Sequence, residues 1–325
     1  MRVANERGCM IELRPYEPQR DALQVYTLWQ LTLDHLWPLP YDIFHAVTIA
    51  HPAYQEEDHF VAVSGSEIVG WVATQIRQGI PSLEGYLMAL LVAPAYQRQG
   101  VGSMLHNHAL SSLKRRGAAK IQLGGGFSYF WQGVPMNLPA AWSFFQTCGW
   151  REAERSFDLV RDLVGYATPP GIYERLHPTI TIAQATSAHA HAILAFEQQH
   201  FPQWLSYYQH VLQHQGYADV VVAKETNQGI VGTALVVDPH AKGWSDDIRW
   251  LSLLGKNTGG VGTLGVAESM REQGIGLALA ARVTELVHER SLERSYIGWT
   301  WLVDWYGKLG YQVWQEYVMS WRINS

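Results

Sequence analysis

Three short blocks occur twice along the chain, in the same order and at similar spacing. Phe60–Ala73 (FVAVSGSEIVGWVA) and Val220–Ala234 (VVVAKETNQGIVGTA) each run from a β-branched stretch through a polar turn into Ile-Val-Gly and a second apolar stretch, the pattern of a hairpin. Their Gly70 and Gly232 stand 162 residues apart. Leu91–Leu105 (LVAPAYQRQGVGSML) and Gly265–Leu279 (GVAESMREQGIGLAL) both read strand, polar bend, Gly-x-Gly, helix, with Gly100 and Gly274 separated by 174. Phe144–Trp150 (FFQTCGW) answers Trp305–Tyr311 (WYGKLGY), with Gly149 and Gly310 separated by 161. One matched block is easily met by chance; three in order make a tandem duplication.

The spacings also locate the seam and the insertions. Leu163–Pro178 holds Pro169-Pro170-Gly171 and Pro178, residues that resist both helix and central strand. The expected organisation is therefore a first domain over 1–167, a linker over 168–178 and a second domain over 179–325. After the seam Thr179–Ala185 alternates like a strand, as Met10–Arg14 does near the start. Ser187 can cap a helix through Phe196, matching Arg20–Leu33. The first half carries extra chain around Gly124–Pro139 and the second around Asp238–Gly260, the loops where two copies of one scaffold diverge in role.

Composition narrows the function classes. Hydrophobic residues make up 47%, charged residues 16%, and 14 Trp and 16 Tyr are present, which excludes disorder and long coiled coil. A net charge of −5 with no basic stripe excludes a general nucleic-acid or anionic-membrane binder. Cys9 and Cys148 make no disulfide framework, and the apolar runs are far shorter than a bilayer requires. The polar stretch Met1–Glu12 lacks the apolar core of a signal peptide, so a cytoplasmic protein is expected. The His pairs His106/His108 and His189/His191 are spaced i, i+2 and lack carboxylate partners, so no metal site is expected.

Each Gly-x-Gly lies between an apolar strand and an amphipathic helix; Ile275, Leu279, Val283, Leu286 and Val287 share one helical face. A helix N-terminus presents unpaired N–H groups and a positive dipole end, and glycines let an anion approach them. Gln97 and Arg98 in one copy, Arg271 and Gln273 in the other, are placed to assist with a phosphate. The dinucleotide fingerprint is excluded because Leu105 and Leu279 stand where its third glycine belongs. A Walker loop is excluded because Gly255-Lys256-Asn257 and Gly307-Lys308-Leu309 lack its Ser or Thr.

The two loops, Gln97-Arg98-Gln99-Gly100-Val101-Gly102 and Arg271-Glu272-Gln273-Gly274-Ile275-Gly276, resemble the Gln/Arg-x-x-Gly-x-Gly/Ala pyrophosphate loop of the GNAT superfamily of acyl-CoA-dependent N-acetyltransferases. Val92-Ala93-Pro94-Ala95-Tyr96 is similar to that family's passage from strand to loop, and both late aromatic blocks resemble its other hallmark. The resemblance spans nearly the whole chain, twice. It implies an α+β fold of two tandem GNAT-like domains, each a mixed, V-splayed sheet flanked by helices. It implies acetyl-CoA as co-substrate, with the pantetheine arm on strand backbone near Leu91–Val92 and Gly265–Val266 and the pyrophosphate on the loops. It implies direct attack by an amine, without a metal. Lys114-Arg115-Arg116 reads as a solvated helix end that can also reach the nucleotide 3′-phosphate of CoA.

Direct acyl transfer needs a neutral amine, a polarised carbonyl and a proton for the leaving thiolate. The family's proton donor, a Tyr of the late aromatic pair, falls on Tyr306; the first half has Phe145, which cannot donate. The second half is thus the better equipped. Candidates for the base are Glu84 at the start of the strand before the first loop, Glu268 at the end of the corresponding second strand, and Asp304 two residues before Tyr306. The acceptor region is aromatic: Tyr296–Trp301, then Trp305 and Tyr306, and Phe127, Tyr129, Phe130 and Trp131 in the first insertion. Most such rings are expected in the core, yet ring walls edged by Asp and Gln suit an amino sugar, and likeness to tandem GNAT proteins that act on glucosamine-type acceptors points the same way. The expected partner is a small-molecule amine, with no nucleic acid or membrane, and the expected state a monomer or homodimer. A non-catalytic acyl-CoA binder and a protein N-acetyltransferase remain open.

Overall fold

A computed structural model of the chain describes residues 2–4, 10–50, 54–79, 82–126, 129–240 and 248–323. The first repeat contains β1 (Arg2–Ala4), β2 (Met10–Pro15), α1 (Pro18–Leu33), α2 (Tyr41–Val47), β3 (His59–Ser64), β4 (Glu67–Gln78), β5 (Leu83–Val92), α3 (Val101–Arg115), β6 (Lys120–Leu123), β7 (Val134–Pro135), α4 (Pro139–Thr147) and β8 (Glu154–Asp162). The second contains β9 (Ile180–Gln184), α5 (Ala190–His200), α6 (Leu205–Gln213), β10 (Val220–Glu225), β11 (Gly229–Val237), α7 (Leu251–Leu254), β12 (Thr258–Val266), α8 (Ile275–Glu289), β13 (Arg294–Thr300), α9 (Val303–Gly307), β14 (Gln312–Met319) and β15 (Trp321–Ile323). The fold is α+β, two mixed sheets flanked by helices. Among the described residues no helix is long and apolar enough to cross a membrane. Cys9 and Phe127 lie outside the described residues, and Cys148 is a free thiol.

The chain divides into two compact units, but not at the proline-rich stretch. One unit is Met1–Ser156 with Gln315–Ser325, the other Phe157–Trp314. Each repeat hands its last strand to the other unit. In the first unit the sheet order is β1-β2-β3-β4-β5-β6-β15, so the chain's final strand pairs antiparallel with β6, Trp321 opposite Gln122. In the second unit β8 lies between β14 and β13, with Tyr296 opposite Val160. The stretch expected as a linker belongs to the second unit and packs on α8: Thr168 Oγ1 and Tyr173 Oη donate to Glu285 Oε1 at 2.5 and 2.9 Å.

The exchanged strands make the same contact in both units. Arg322 on β15 donates to the Cys148 carbonyl at 2.5 Å and lies 4.3 Å from the Trp150 ring centre, beside Gly149. Arg161 on β8 occupies the space over Gly310, where an added Cβ would run into its guanidinium, and lies over the Tyr166 ring. A second repeated tie joins the helix after each loop to the turn before each hairpin. Arg116 binds Asp58 at 2.9 Å and Arg290 binds Asp219 at 2.7 Å. Arg116 is thereby engaged in an ion pair, which corrects its reading as a solvated helix end.

Each core lies between its sheet and the helix that follows the loop. Leu105, Ala109 and Leu113 of α3 pack with Val69, Val72 and Leu87; Ala278, Leu279, Val283 and Leu286 of α8 pack with Val231 and Ala234. The leucines standing in place of a third loop glycine are central to this packing. A Cβ on Gly70 would meet Leu105 at 2.8 Å, and one on Gly232 would meet Leu279 at 3.0 Å, so the Ile-Val-Gly glycines make room for them.

Helix α1 is anchored at its first turn by Asp21, whose side chain is fully buried. Burial opposes its ionisation, but hydrogen bonds from Arg14, the Glu17 N–H and Arg20 outweigh it and hold the carboxyl at about 2. A depressed carboxylate contributes stability that is present above its unfolded value near 4 and lost as pH falls toward 2. Asp21→Asn is expected to cost about 1–2 kcal/mol at neutral pH and to flatten the loss of stability between pH 4 and 2, read by urea denaturation across pH. Arg322→Ala removes a charged hydrogen bond and a cation–π contact. It is expected to cost about 1–3 kcal/mol, and a fragment ending at residue 165 is expected to lack the near-UV signal of a packed first unit.

Candidate functional site

The parallel ladder of the first unit is short. β5 pairs with β6 only from Glu84 opposite Lys120 to Leu87 opposite Leu123. At Met88 the β4–β5 register shifts, with Ala73 opposite Ala89 but Thr74 opposite Leu87, and beyond it β5 runs on without β6 beside it. The second unit repeats the device: β12 pairs with β13 only from Thr258 to Gly260, and its register with β11 shifts between Gly262 and Gly265, where Thr263 takes a φ of 37°. A bulge bends a strand and increases its twist. The sheet is therefore V-splayed at the expected place in both units.

The loop at the end of each splayed strand has one geometry. Arg98 and Glu272 have φ of 59° and 64°, and Gly100 and Gly274 have φ of 82° and 81°, just before the helix begins. The side chain of the first loop residue turns back on the strand: Gln97 Nε2 donates to the Val92 carbonyl at 3.0 Å, and Arg271 Nε to the Val266 carbonyl at 3.2 Å. Gln99 Nε2 donates to the Ala95 carbonyl at 2.7 Å, and Gln273 Nε2 faces Met270 Sδ at 3.9 Å. Val101 and Ile275 are core residues. A Cβ on Gly102 would lie 3.3 Å from the Phe144 ring, and one on Gly276 would lie 3.2 Å from the Trp305 ring. The late aromatic block thus packs on the loop helix, which is why both blocks recur together.

In the first unit strand and loop face one cavity of about 770 Å³. Leu87 to Val92, Gln97, Arg98, Gly100, Gly102 and Ser103 line it on one side; Thr32 and Leu33 of α1, Trp131, and Phe144 and Phe145 line it on the others. Most of the first unit's predicted cofactor residues are thereby brought together, with Gln99 and Val101 in the loop between them. The insertion rings divide. Phe130 and Trp131 are buried, Trp131 stacking on Trp29 at 5.4 Å while also reaching the cavity, and Tyr129 is half-buried.

The second unit differs at the matching strand position. Gly265 lies under Phe201, the residue after α5: a Cβ there would meet that ring at 2.5 Å, and the ring stacks on Trp204 at 4.9 Å.

The predicted catalytic residues are not gathered into one site. Glu84 sits on the closed stretch of β5, where it accepts a hydrogen bond from Tyr86 Oη at 2.5 Å; the cavity lining on this strand begins at Leu87. Burial, then the bond to Glu84, pushes the Tyr86 phenol up. Glu268 and Asp304 are exposed. Tyr306 is buried in the second unit's core, its ring edge-on to Trp305 at 4.6 Å and to Tyr311 at 6.0 Å. Burial, then Tyr311, raises its phenol, so it holds its proton.

Sequence reasoning passed over Glu197. It sits on α5 with its side chain fully buried, Thr233 Oγ1 donates to its Oε1 at 2.5 Å, and burial pushes it up to about 7 against that bond. The signal available in the sequence was its alignment with Trp29 of the first repeat, 168 residues earlier. Among the described residues no group of three His, Cys, Asp or Glu is placed to hold a metal ion.

Two splayed mixed sheets, each with a Gly-x-Gly turn at the open strand end and an aromatic block on the helix behind it, define an acetyltransferase of the GNAT class. The sequence profile of the Acetyltransferase (GNAT) family matches residues 22–150 and 187–311, and the chain belongs to that family. It is similar to a structure described as a GCN5-related glucosamine N-acetyltransferase region in a fungal multi-domain GH3 β-N-acetylglucosaminidase, at 31% identity and TM-score 0.88 over 97% of this chain. This chain spans 38% of that protein's length. The fold also matches a GCN5-related N-acetyltransferase from Sphaerobacter thermophilus (17% identity, TM-score 0.69, 99% of this chain and 97% of that one). A tandem GNAT protein from the clavulanic acid biosynthesis pathway matches at 16% identity and TM-score 0.65, over 96% and 98% of the two chains. No curated protein sequence matches the chain.

The left-handed loop glycine gives a direct test. A Cβ on Gly100 would meet nothing within 4 Å, so the cost of Gly100→Ala is backbone strain alone, about 1–2 kcal/mol. Chemical denaturation is expected to show that loss although the substitution removes no contact.

Proposed function

We propose that the chain transfers an acetyl group from acetyl-CoA to the primary amine of a small molecule by direct attack, with amino sugars the first acceptors to try. The observation that carries this reading is the first unit's cavity, in which the freed edge of β5 and the Gly100–Gly102 loop face the same space. The residues suit the co-substrate. The strand backbone from Met88 to Val92 has no β6 partner and is available to the pantetheine amides. The first-turn N–H groups of α3 are out of reach of any carbonyl of their own helix and suit a pyrophosphate. Acetyl-CoA supplies the activated acyl group as a thioester. In the second unit the Gly274–Gly276 loop and the Gly265–Val266 strand end offer the same groups, and Tyr306, whose proton is firmly held, is the candidate acid for the leaving thiolate. The acceptor class rests on the 31%-identical relative described as a glucosamine N-acetyltransferase region. The chain works in a reducing, cytoplasmic setting in this reading and needs no metal.

A second reading has its own observation. Phe145 lines the first unit's cavity at the position where the second repeat has Tyr306, so that cavity has no donor there and suits an acyl-CoA binder without turnover. Thiol release from acetyl-CoA, measured against glucosamine and its glycosides, polyamines, aminoglycosides, amino acids and a lysine peptide, separates the two. Transfer to the amino sugars is expected. Tyr306→Phe is expected to lower kcat by roughly 100-fold with acetyl-CoA affinity kept. Saturable acetyl-CoA binding without thiol release for any amine overturns the enzymatic reading, and transfer to the lysine peptide alone moves the acceptor class to proteins.

A further inference from the structure

Four buried positions of the first repeat's helix have buried counterparts in the second repeat. Val25, Leu28, Trp29 and Leu33 on the first repeat's helix are followed 168 residues on by Ile193, Phe196, Glu197 and Phe201. Glu197 therefore stands where Trp29 stands. Thr233, which donates to it, follows Trp71 by the 162-residue spacing of the hairpins. In the first unit Trp29 fills this place as packing, its Nε1 donating to the Trp37 carbonyl at 3.0 Å and its ring stacked on Trp131. The second unit sets a carboxylate in the same place.

That carboxylate is half satisfied. Oε1 accepts from Thr233, whereas Oε2 is buried with no hydrogen-bond partner. Buried polar atoms without partners are rare and costly, and one held on rigid elements is suited to a donor that arrives from outside. Its surroundings lie at the opening of the sheet. Tyr208 of α6 faces it and donates from Oη to the carbonyl of Thr263, the left-handed residue of the β12 bulge. One helical turn on from Glu197, Phe201 lies against Gly265, the strand position at the mouth of the splay.

We propose that Glu197 is the residue of the second unit that receives the acceptor's amine, Oε2 taking a hydrogen bond and then a proton from the incoming ammonium. The proposal rests on the acetyl-transfer reading above. The step balances: one N–H proton passes to the carboxylate, giving a neutral amine and a carboxylic acid. The nitrogen lone pair then forms the N–C bond as the C–S bond breaks, the thiolate takes the proton of Tyr306, and the second N–H proton restores it. The amide and the thiol leave, and Glu197 returns its proton to water. Because Glu197 is fully covered, its surroundings must open for the acceptor to reach it.

Burial brings the carboxyl into the neutral range, where it can both take and return a proton. The titratable group that faces it is Tyr208 of α6, which burial and then Glu197 itself keep protonated; β11 and β12 present Thr233 and Thr263, which do not titrate, and His200 on its own helix is exposed.

Glu197→Gln in the full chain keeps the volume and an acceptor for Thr233. Its kcat/KM for the best acceptor is expected to fall about 100-fold with acetyl-CoA affinity unchanged, and the acid-side limb of the pH profile to move from near 7 to the acceptor's own amine value. Glu197→Asp, which withdraws the carboxylate by one methylene, is expected to fall about tenfold and to keep the limb near 7. Should the glutamine variant not fold, the aspartate variant decides alone: kcat/KM within twofold of wild type overturns the proposal. Transfer by Glu197→Gln within twofold of wild type, with an unchanged pH limb, overturns the role of Glu197 while leaving acetyl transfer intact. A wild-type chain that transfers acetyl to no amine overturns both.

Discussion

The candidate site in each unit follows from a parallel ladder that stops early. β5 and β6 share four opposed pairs, and β12 and β13 share three, before a bulge turns the earlier strand away. A strand that loses its neighbour keeps backbone donors and acceptors without a strand partner, a hazard in most folds because it invites another chain. Here the row ends in a left-handed glycine and a helix N-terminus, so the freed groups and the loop N–H groups run into one another. In the first unit α1, Trp131 and α4 enclose this edge. In the proposed reading, cofactor binding would complete a sheet that the chain leaves unfinished.

The parts of the fold written in glycine could be read from the sequence. Gly100 and Gly274 are there because the backbone is left-handed, and Gly102 and Gly276 because a ring lies over them; neither requirement tolerates much drift. Duplication doubled each signal. The strand exchange was not legible for the opposite reason. A proline-rich stretch reads as a linker, whereas Leu163–Pro178 packs on α8 through Thr168 and Tyr173, contacts set by residues more than a hundred positions away. Arg161 and Arg322 are 161 residues apart, the same spacing as the glycines they cover. Nothing local shows that each covers the glycine of the other repeat.

The chemistry was less legible than the scaffold, and Glu84 and Glu197 show why. Glu84 has the expected position on the expected strand, but the ladder is still closed there, and where the opening begins depends on a bulge that hydrophobic alternation does not reveal. Glu197 sits in AFEQQH, a polar-looking helix end, and only the match to Val25, Leu28, Trp29 and Leu33 marks its position as interior. Burial turns an ordinary carboxylate into one that titrates in the neutral range, and burial is a property of what packs around a residue.

The two units spend the same scaffold differently. In the first, Trp29 of α1, Trp71 of β4, and Phe130 and Trp131 of the insertion form a cluster of touching rings, an apolar floor next to the cavity. In the second, the corresponding places hold Glu197 and Thr233, and the ring of Phe201 rests on the strand where the first unit has Leu91. An apolar floor can hold an acyl chain or a sugar face but cannot move a proton; a carboxylate that burial brings into the neutral range can. Phe201 follows Glu197 by one helical turn, so the ring over Gly265 and the carboxylate belong to the same stretch of backbone. A displacement of that stretch to admit an amine to Glu197 would also free the Gly265 backbone, which couples acceptor entry to access at the splayed strand.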